Sequence, residues 1–245
     1  MKKINKRGEL TTQQLVIIIV LIVSFIIILF LLFRLNLGET TNKEICHNSV
    51  VLKAKSAGLS GPLDCRTNYL CISGGKDCKG ITPTSTVKVN PKNKEEIMKA
   101  LADEMVDCWW MFGEGEITYA DKSLAQKTSC SLCSIVEFDE SFKEIDPISY
   151  IEFYNYLSTT SKTTPQTYLQ YLYPTNNLNE LSKELKLANY FDKNLEFDKT
   201  YSILTGMERS IVLGLFGSSH VPVVILEKSK ENYEAVGCDI FLTKA

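Results

Sequence analysis

The chain has 245 residues, and its 27 Lys and Arg against 29 Asp and Glu give a formal net charge of −2. The charge is unevenly distributed, because the residues from Asn36 onward carry 22 basic and 28 acidic side chains, a net charge of −6. This acidic balance argues against nucleic acid or an anionic lipid surface as the partner of that part. About 210 residues are enough for a domain with its own hydrophobic core.

An apolar run extends from Leu15 to Phe33, and Ser24 is its only polar residue. Its nineteen residues contain no charge, Gly or Pro, and this length and composition predict a membrane-spanning helix over residues 14–35. Four basic residues and one acidic residue precede the run. The positive-inside rule then predicts a cytoplasmic basic tail over residues 1–13 and an extracytoplasmic domain over residues 36–245. The lipid bilayer is the predicted partner of Leu15 to Phe33.

A second interpretation of the N-terminus depends on the basic pair before Gly8 and on Glu9, which follows it. This arrangement resembles the class III signal of archaeal type IV pilin-like proteins, in which a basic leader ends in Gly and the apolar segment becomes an assembly helix. The resemblance implies cleavage between Gly8 and Glu9. The chain departs from the pattern at the fifth mature position, which often holds Glu and here holds Gln13. The run also offers few small residues for helix packing, which favours lipid contact by a single helix.

All eight cysteines follow the apolar run: Cys46, Cys65, Cys71, Cys78, Cys108, Cys130, Cys133 and Cys238. An even number in an oxidising compartment predicts up to four disulfides, with the connectivity left open. The spacing of Cys65, Cys71 and Cys78 lacks the close pairs of structural zinc sites, so we predict no metal and no cofactor. Frequent Gly and Pro predict that residues 42–90 form a disulfide-rich loop segment with one strand-like stretch, Thr86 to Val89.

Residues 91–190 are predicted to be mainly helical. Asn93 and Glu96 have the spacing of a capping box. Apolar side chains recur at helical intervals after this cap, at Ile97, Leu101, Met105, Cys108 and Phe112. Gly113 predicts the end of this helix.

The run from Cys108 to Gly115 contains the chain's two tryptophans, Trp109 and Trp110. It is similar to uncharacterised archaeal membrane proteins, and this similarity implies no function. An exposed Trp pair would form a binding patch. We favour the alternative, a disulfide buried against aromatic rings with one Trp in the core and its neighbour at the border. Tyr168 and Tyr171 are further candidate contact aromatics, although core packing is the favoured interpretation of the aromatic-rich segment that contains them.

Cys130 and Cys133 form a C-x-x-C motif, a candidate redox pair. Such a pair needs its first thiolate at a helix N-terminus. The following residues instead alternate in a strand pattern near 132–138, which favours structural disulfides, one of them to Cys108.

Two Pro residues after good capping residues, Pro147 and Pro165, predict helices over about 147–158 and 165–173. Asn177 and Glu180 predict a third short helix. Residues 198–245 are rich in Val, Ile, Leu and Phe and predict an antiparallel sheet.

The turns of this sheet are predicted at Gly206, at residues 217–219 and at residues 230–232. Cys238 is expected to tie the last strand to an earlier cysteine. His220 is interpreted as a solvated turn residue rather than a catalytic base.

The predicted architecture is therefore an α+β ectodomain with a C-terminal antiparallel sheet and several disulfides, behind a single N-terminal transmembrane helix. The sequence contains no HExxH, P-loop or dinucleotide-binding motif. We therefore predict a surface-displayed binding or structural protein without an evident catalytic site, for which a pilin-like subunit is one form. Its expected partners are other protein subunits or a cell-surface partner. Two alternatives stay open: an envelope thiol–disulfide oxidoreductase using Cys130 and Cys133, and an accessory subunit of a membrane protein complex.

Overall fold

The computed structural model describes residues 12–34, 37–56, 61–120, 127–163, 165–173, 175, 177–178, 180–181, 190–212 and 215–244. The chain divides into two compact units, Met1–Thr41 and Asn42–Ala245. The predicted processing site at Gly8 and Glu9 lies outside the described residues, as does most of the helix predicted after Asn177.

The first unit contains the helix α1, Thr12–Arg34, which coincides closely with the predicted membrane span. The stretch Gln13–Phe30 has a mean hydropathy of 3.0 and none of its residues is buried. Ser24 Oγ donates a hydrogen bond to the Val20 carbonyl, 2.8 Å away, so the helix satisfies this hydroxyl internally. Such a helix is long and apolar enough to cross a membrane, and it is compatible with a single-pass anchor.

The second unit is built on a six-stranded sheet and two small two-stranded sheets. Within the described residues the strands are β1 Asn68–Ser73, β2 Ser85–Lys88, β3 Thr128–Phe138, β4 Ile148–Ser149, β5 Ser161–Thr163, β6 Gln166–Thr167, β7 Asn194–Leu195, β8 Tyr201–Val212, β9 Leu215–Glu227 and β10 Ile240–Phe241. The main sheet has the order β2-β1-β3-β8-β9, and β10 also pairs with β3. The small sheets are β4 with β7 and β5 with β6.

The main sheet is mixed, so the prediction of a wholly antiparallel C-terminal sheet is correct only in part. β8 runs antiparallel to both β3 and β9, whereas β10 runs parallel to β3. A short helix, Lys230–Ala235, stands between β9 and β10 where a turn was predicted. Because this connection is not a tight hairpin, the last strand can return beside β3 in the parallel direction.

Two other predicted turns, at Gly206 and at residues 217–219, are wrong, since these residues lie inside β8 and β9. The register shifts between Leu204 and Gly206. A Cβ atom at Gly206 would lie only 3.0 Å from the Ser129 carbonyl oxygen. This glycine therefore serves close strand approach at an irregularity of the sheet.

The helices of the second unit differ from the prediction mainly at their starts. Numbered in chain order after α1, they are α2 Leu37–Lys55, α3 Lys94–Met111, α4 Tyr150–Thr159, α5 Tyr168–Leu172 and α6 Lys230–Ala235, with the first residues of α2 belonging to the first unit. α2 occupies the start of the segment that was predicted as a loop, and that prediction is wrong. α4 and α5 begin three residues later than predicted.

The later starts have a local cause. Ser149 caps α4 by accepting a hydrogen bond from the Glu152 amide at 3.1 Å. Thr167 caps α5 in a full capping box with Gln170. Competing caps downstream of Pro147 and Pro165 therefore set the boundaries.

α3 is the helix that the sequence predicts best. The Asn93 side chain accepts hydrogen bonds from the amides of Glu95 and Glu96, so it is the N-cap. Its predicted apolar face is buried, with Ile97, Leu101, Met105 and Cys108 each 0% exposed.

All eight cysteines form disulfides, as predicted: Cys46–Cys65, Cys71–Cys78, Cys108–Cys133 and Cys130–Cys238. The bond from Cys133 to Cys108 ties β3 to α3, and the bond from Cys130 to Cys238 ties β3 to the segment before β10. Cys130 and Cys133 thus have different partners.

Candidate functional site

A concavity of about 440 Å³ opens beside the C-terminal end of α3. Its walls come from the end of α3 and the following turn, from α5 and from β9. The lining residues are Trp109, Glu114, Gly115, Gln170, Tyr171, Leu172, Tyr173, His220 and Pro222. This volume lies within the range of about 300–1,000 Å³ that is usual for small-molecule sites. We call it the α3 concavity.

The turn after α3 has an unusual backbone. Gly113, Glu114 and Gly115 are consecutive residues with positive φ angles of 79°, 55° and 76°. Glycine adopts positive φ angles without steric cost, whereas a residue with a side chain adopts them only at a cost in energy. The Glu114 amide donates to the Trp109 carbonyl at 3.0 Å and so helps to end the helix. Glu114 is therefore the one strained residue of this turn, and it lines the concavity; such strain is common at functional sites.

Gly115 packs directly on the indole of Trp109. A Cβ atom at this position would lie 2.9 Å from Cζ2 and 3.0 Å from Cη2 of that ring. Trp109 is itself only 9% exposed. The floor of the concavity is therefore a fixed aromatic surface, positioned by α3 and covered at one edge by the glycine.

Glu114, Tyr171 and Lys162 form a charged group at the rim. The Tyr171 hydroxyl donates a short hydrogen bond to the Glu114 carboxylate. The Lys162 ammonium lies over the Tyr171 ring, 3.1 Å from its centroid, which is a cation–π contact. Burial raises the pKa of Tyr171, and the Glu114 carboxylate raises it further. Burial lowers the pKa of Lys162, although Glu114 and Asp107 oppose this effect.

His220 is held in a defined tautomer. Its Nε2 lies 3.1 Å from the Ile117 carbonyl oxygen. A carbonyl oxygen can only accept, so Nε2 donates, and Nδ1 is an acceptor in the neutral ring.

Gln170 and Trp109 provide donors. The Gln170 side-chain oxygen accepts from the Thr167 amide at 2.9 Å as part of the α5 cap. Among the described residues, neither the Gln170 NH₂ group nor the Trp109 indole N–H donates a hydrogen bond within the protein. Donors and acceptors are therefore both left for a ligand.

The back wall is fixed by three buried tyrosine hydroxyls. Tyr154 OH lies 3.0 Å from Tyr173 OH and 3.2 Å from Tyr190 OH. Tyr173 donates to the Val223 carbonyl and Tyr190 to the Ile225 carbonyl, both in β9. Burial raises the pKa of Tyr154 to about 12, so its hydroxyl stays protonated at neutral pH. This network joins Tyr173 to β9, and both contribute to the wall.

The structure separates the four predicted contact aromatics. Trp109 and Tyr171 line the α3 concavity. Trp110 is half-buried and stacks on His47, with ring centroids 4.2 Å apart. Tyr168 is buried and donates to Asp103 at 2.6 Å.

The prediction that His220 is a solvated turn residue is wrong, because it is half-buried in β9 and lines the concavity. No local signal could have revealed this position. His220 and Trp109 line the same concavity only because strands and helices that are far apart in the sequence pack together.

Cys130 and Cys133 do not form a disulfide with each other. Both lie within β3 and are 0% and 1% exposed, respectively, and each is bonded to a different element. Neither sulfur lies at the N-terminus of a helix, where a reactive thiolate would be stabilised. Within the described ranges, no group of three or more His, Cys, Asp or Glu is arranged to hold a metal ion.

No protein-family model, curated protein or solved structure matches this chain.

Proposed function

We propose that this protein is a single-pass membrane protein that displays its second unit outside the cytoplasm as a binding domain, with the ligand held in the α3 concavity. The observation that carries the proposal is the concavity itself. Three separate elements build its walls, and its indole and carboxamide donors have no partner among the described residues. Preformed aromatic walls with a few placed polar groups are typical of ligand sites.

The compartment is supported by the cysteines and by the charges around α1. Four disulfides fit an oxidising environment. Basic residues before α1 favour a cytoplasmic N-terminus. The second unit would then face the exterior.

The lining side chains favour binding over catalysis. They include no Ser, Thr, Cys or Lys that could serve as a nucleophile. Glu114 and His220 are already engaged with Tyr171 and Ile117. The buried, separately bonded Cys130 and Cys133 also speak against the thiol–disulfide oxidoreductase alternative.

The topology is tested with protease added to intact cells. We expect digestion of the second unit from outside, while a short fragment containing α1 stays with the membrane. In the same preparation, alkylation of the denatured but unreduced protein should add no mass, because all eight cysteines are in disulfides. Protection in intact cells, with digestion only after permeabilisation, would contradict the proposed orientation.

The site is tested by replacing Gly115 with alanine in the purified full chain. The new methyl group collides with Trp109, so ligand binding should be lost. Calorimetric titration would use methyl β-glucoside, maltose, choline, putrescine, succinate and trialanine as probes, and we expect at least one to bind the unmodified protein saturably.

Gly75→Ala is the matched control. Gly75 also has a positive φ, 122°, but no atom lies within 4 Å of the added Cβ position. Both substitutions place a side chain at a positive φ, but Gly75→Ala adds no collision, so this variant should bind as the unmodified protein does. Equal binding by both variants would place the site elsewhere, and binding of no probe would contradict the proposed function.

A further inference from the structure

The charges around the α3 concavity are already balanced within the protein. The Glu114 carboxylate accepts from Tyr171, and it interacts with the Lys162 ammonium, as does Asp107. Lys162 also covers one face of the Tyr171 ring. A ligand cation would therefore compete with an internal one for both the carboxylate and the aromatic face. A ligand anion would meet Glu114 at the rim. Neither charged class fits as well as a neutral ligand.

The other groups that line the α3 concavity favour a ligand that has both flat apolar faces and many hydroxyls. Tyr171 offers a half-buried ring and Pro222 adds apolar surface, whereas the neighbouring Trp109, 9% exposed, contributes only a small part of its ring. Around them stand donors at Trp109 and Gln170 and acceptors at Glu114 and His220. Hydroxyls are donors and acceptors at once, so they can satisfy both kinds of group. The C–H groups of a pyranose ring suit the negative face of an aromatic ring.

We infer that the ligand of the α3 concavity is a neutral carbohydrate of one or two sugar rings. The inference rests on the proposed binding function and narrows it to one chemical class. The sugar ring lies against Tyr171 and Pro222, and its hydroxyls bond to Gln170, His220 and Glu114. The concavity is of the size that a mono- or disaccharide requires.

The test is a titration of the purified full chain in detergent with methyl glycosides of glucose, galactose and mannose and with maltose, cellobiose and lactose. A non-glycosidic detergent is needed. We expect at least one of these sugars to bind with a Kd of about 1 mM, the affinity typical of a ligand of this size. Calorimetry and tryptophan fluorescence, to which Trp109 and Trp110 both contribute, give independent readings.

Two substitutions at Tyr171 test the contribution of its aromatic ring to sugar binding separately from that of its hydroxyl. Tyr171→Phe keeps the aromatic face, and its Kd should rise no more than about threefold. Tyr171→Leu removes the face, and its Kd should rise about tenfold or more. Melting curves check that both variants are folded.

The substitution Gln170→Glu tests the side-chain NH₂ donor while it keeps the capping hydrogen bond of α5. A glutamate keeps an oxygen for the Thr167 amide, which Gln170 now bonds at 2.9 Å, but it loses the NH₂ donor. We expect a Kd about fivefold higher.

The possible outcomes test the carbohydrate class of the ligand separately from the proposed binding function. Sugar binding that weakens in Tyr171→Leu and Gln170→Glu supports the inference. Sugar binding unchanged in both variants overturns it. Binding of choline, putrescine, succinate or trialanine without any sugar, lost in Gly115→Ala, overturns the carbohydrate class but leaves the binding function standing. Binding of no probe at all overturns both.

Discussion

Replacing both Cys130 and Cys238 with alanine is expected to lower the free energy of unfolding by about 5 kcal/mol, the larger of two disulfide losses that can be compared directly. The bond spans 108 residues of sequence. Removing it frees the unfolded chain to explore many more conformations, and the entropic cost of folding rises with the length of the loop. A loss of this size is comparable with the whole stability of many domains.

The control is the double substitution of Cys71 and Cys78, whose bond spans only 7 residues. The same relation gives a loss of about 2 kcal/mol. Guanidinium unfolding can be followed by tryptophan fluorescence, which reports on the second unit alone because the chain's two tryptophans are Trp109 and Trp110. An equal or smaller loss for the Cys130 and Cys238 pair would contradict the loop-length argument.

Lys43→Met is expected to destabilise the second unit by about 3–5 kcal/mol. Lys43 Nζ lies 3.1 Å from Glu104 and 2.8 Å from Asp107, and its own side chain is 16% exposed. Glu104 also accepts hydrogen bonds from Asn68 and Ser134. Its side chain is only 7% exposed. The substitution leaves a buried carboxylate without its cation, and water cannot replace that partner cheaply.

Two further variants test this explanation. Lys99→Met breaks a solvent-exposed pair with Asp103 and should cost less than about 1 kcal/mol. Adding Glu104→Gln to Lys43→Met removes the buried charge and keeps an oxygen for Asn68 and Ser134, so it should restore much of the lost stability. A double variant no more stable than Lys43→Met would show that the loss has another origin.

Sequence reasoning succeeded where the decisive interactions are local. α1 follows from composition alone, and α3 follows from an Asn93 cap and an apolar face with regular spacing. The expectation that the eight cysteines form disulfides followed from their even number, whereas their connectivity was left open. β3 was predicted in part, because apolar and small side chains alternate near residues 132–138.

Sequence reasoning failed where contacts between residues far apart in the sequence determine the structure. Part of α2 is held by Lys43, Cys46 and His47, whose partners Glu104, Cys65 and Trp110 are as many as 63 positions away. β10 lies parallel to β3, more than 100 residues earlier in the chain. No pattern near either segment encodes these partners.

The candidate site could be predicted only in fragments for the same reason. Trp109 and Tyr171 were candidate contact aromatics with core packing as the favoured interpretation, and the structure places both in the lining of the α3 concavity. Gly113 predicted the end of α3, but nothing in the sequence indicated a cavity at Glu114, Gly115 or His220. Their convergence depends on the packing of α3 and α5 against β9, which only the folded chain reveals.

The last described residues of the chain form backbone hydrogen bonds to much earlier segments of the second unit. The Lys244 amide donates to the Cys65 carbonyl, and the Thr67 amide donates to the Lys244 carbonyl, each at 2.9 Å. The Leu242 amide donates to the Cys130 carbonyl at 2.8 Å. A chain that ended before Cys238 would therefore leave Cys130 without its disulfide partner and would leave Ser129 and Cys130 of β3 without the pairing that β10 provides.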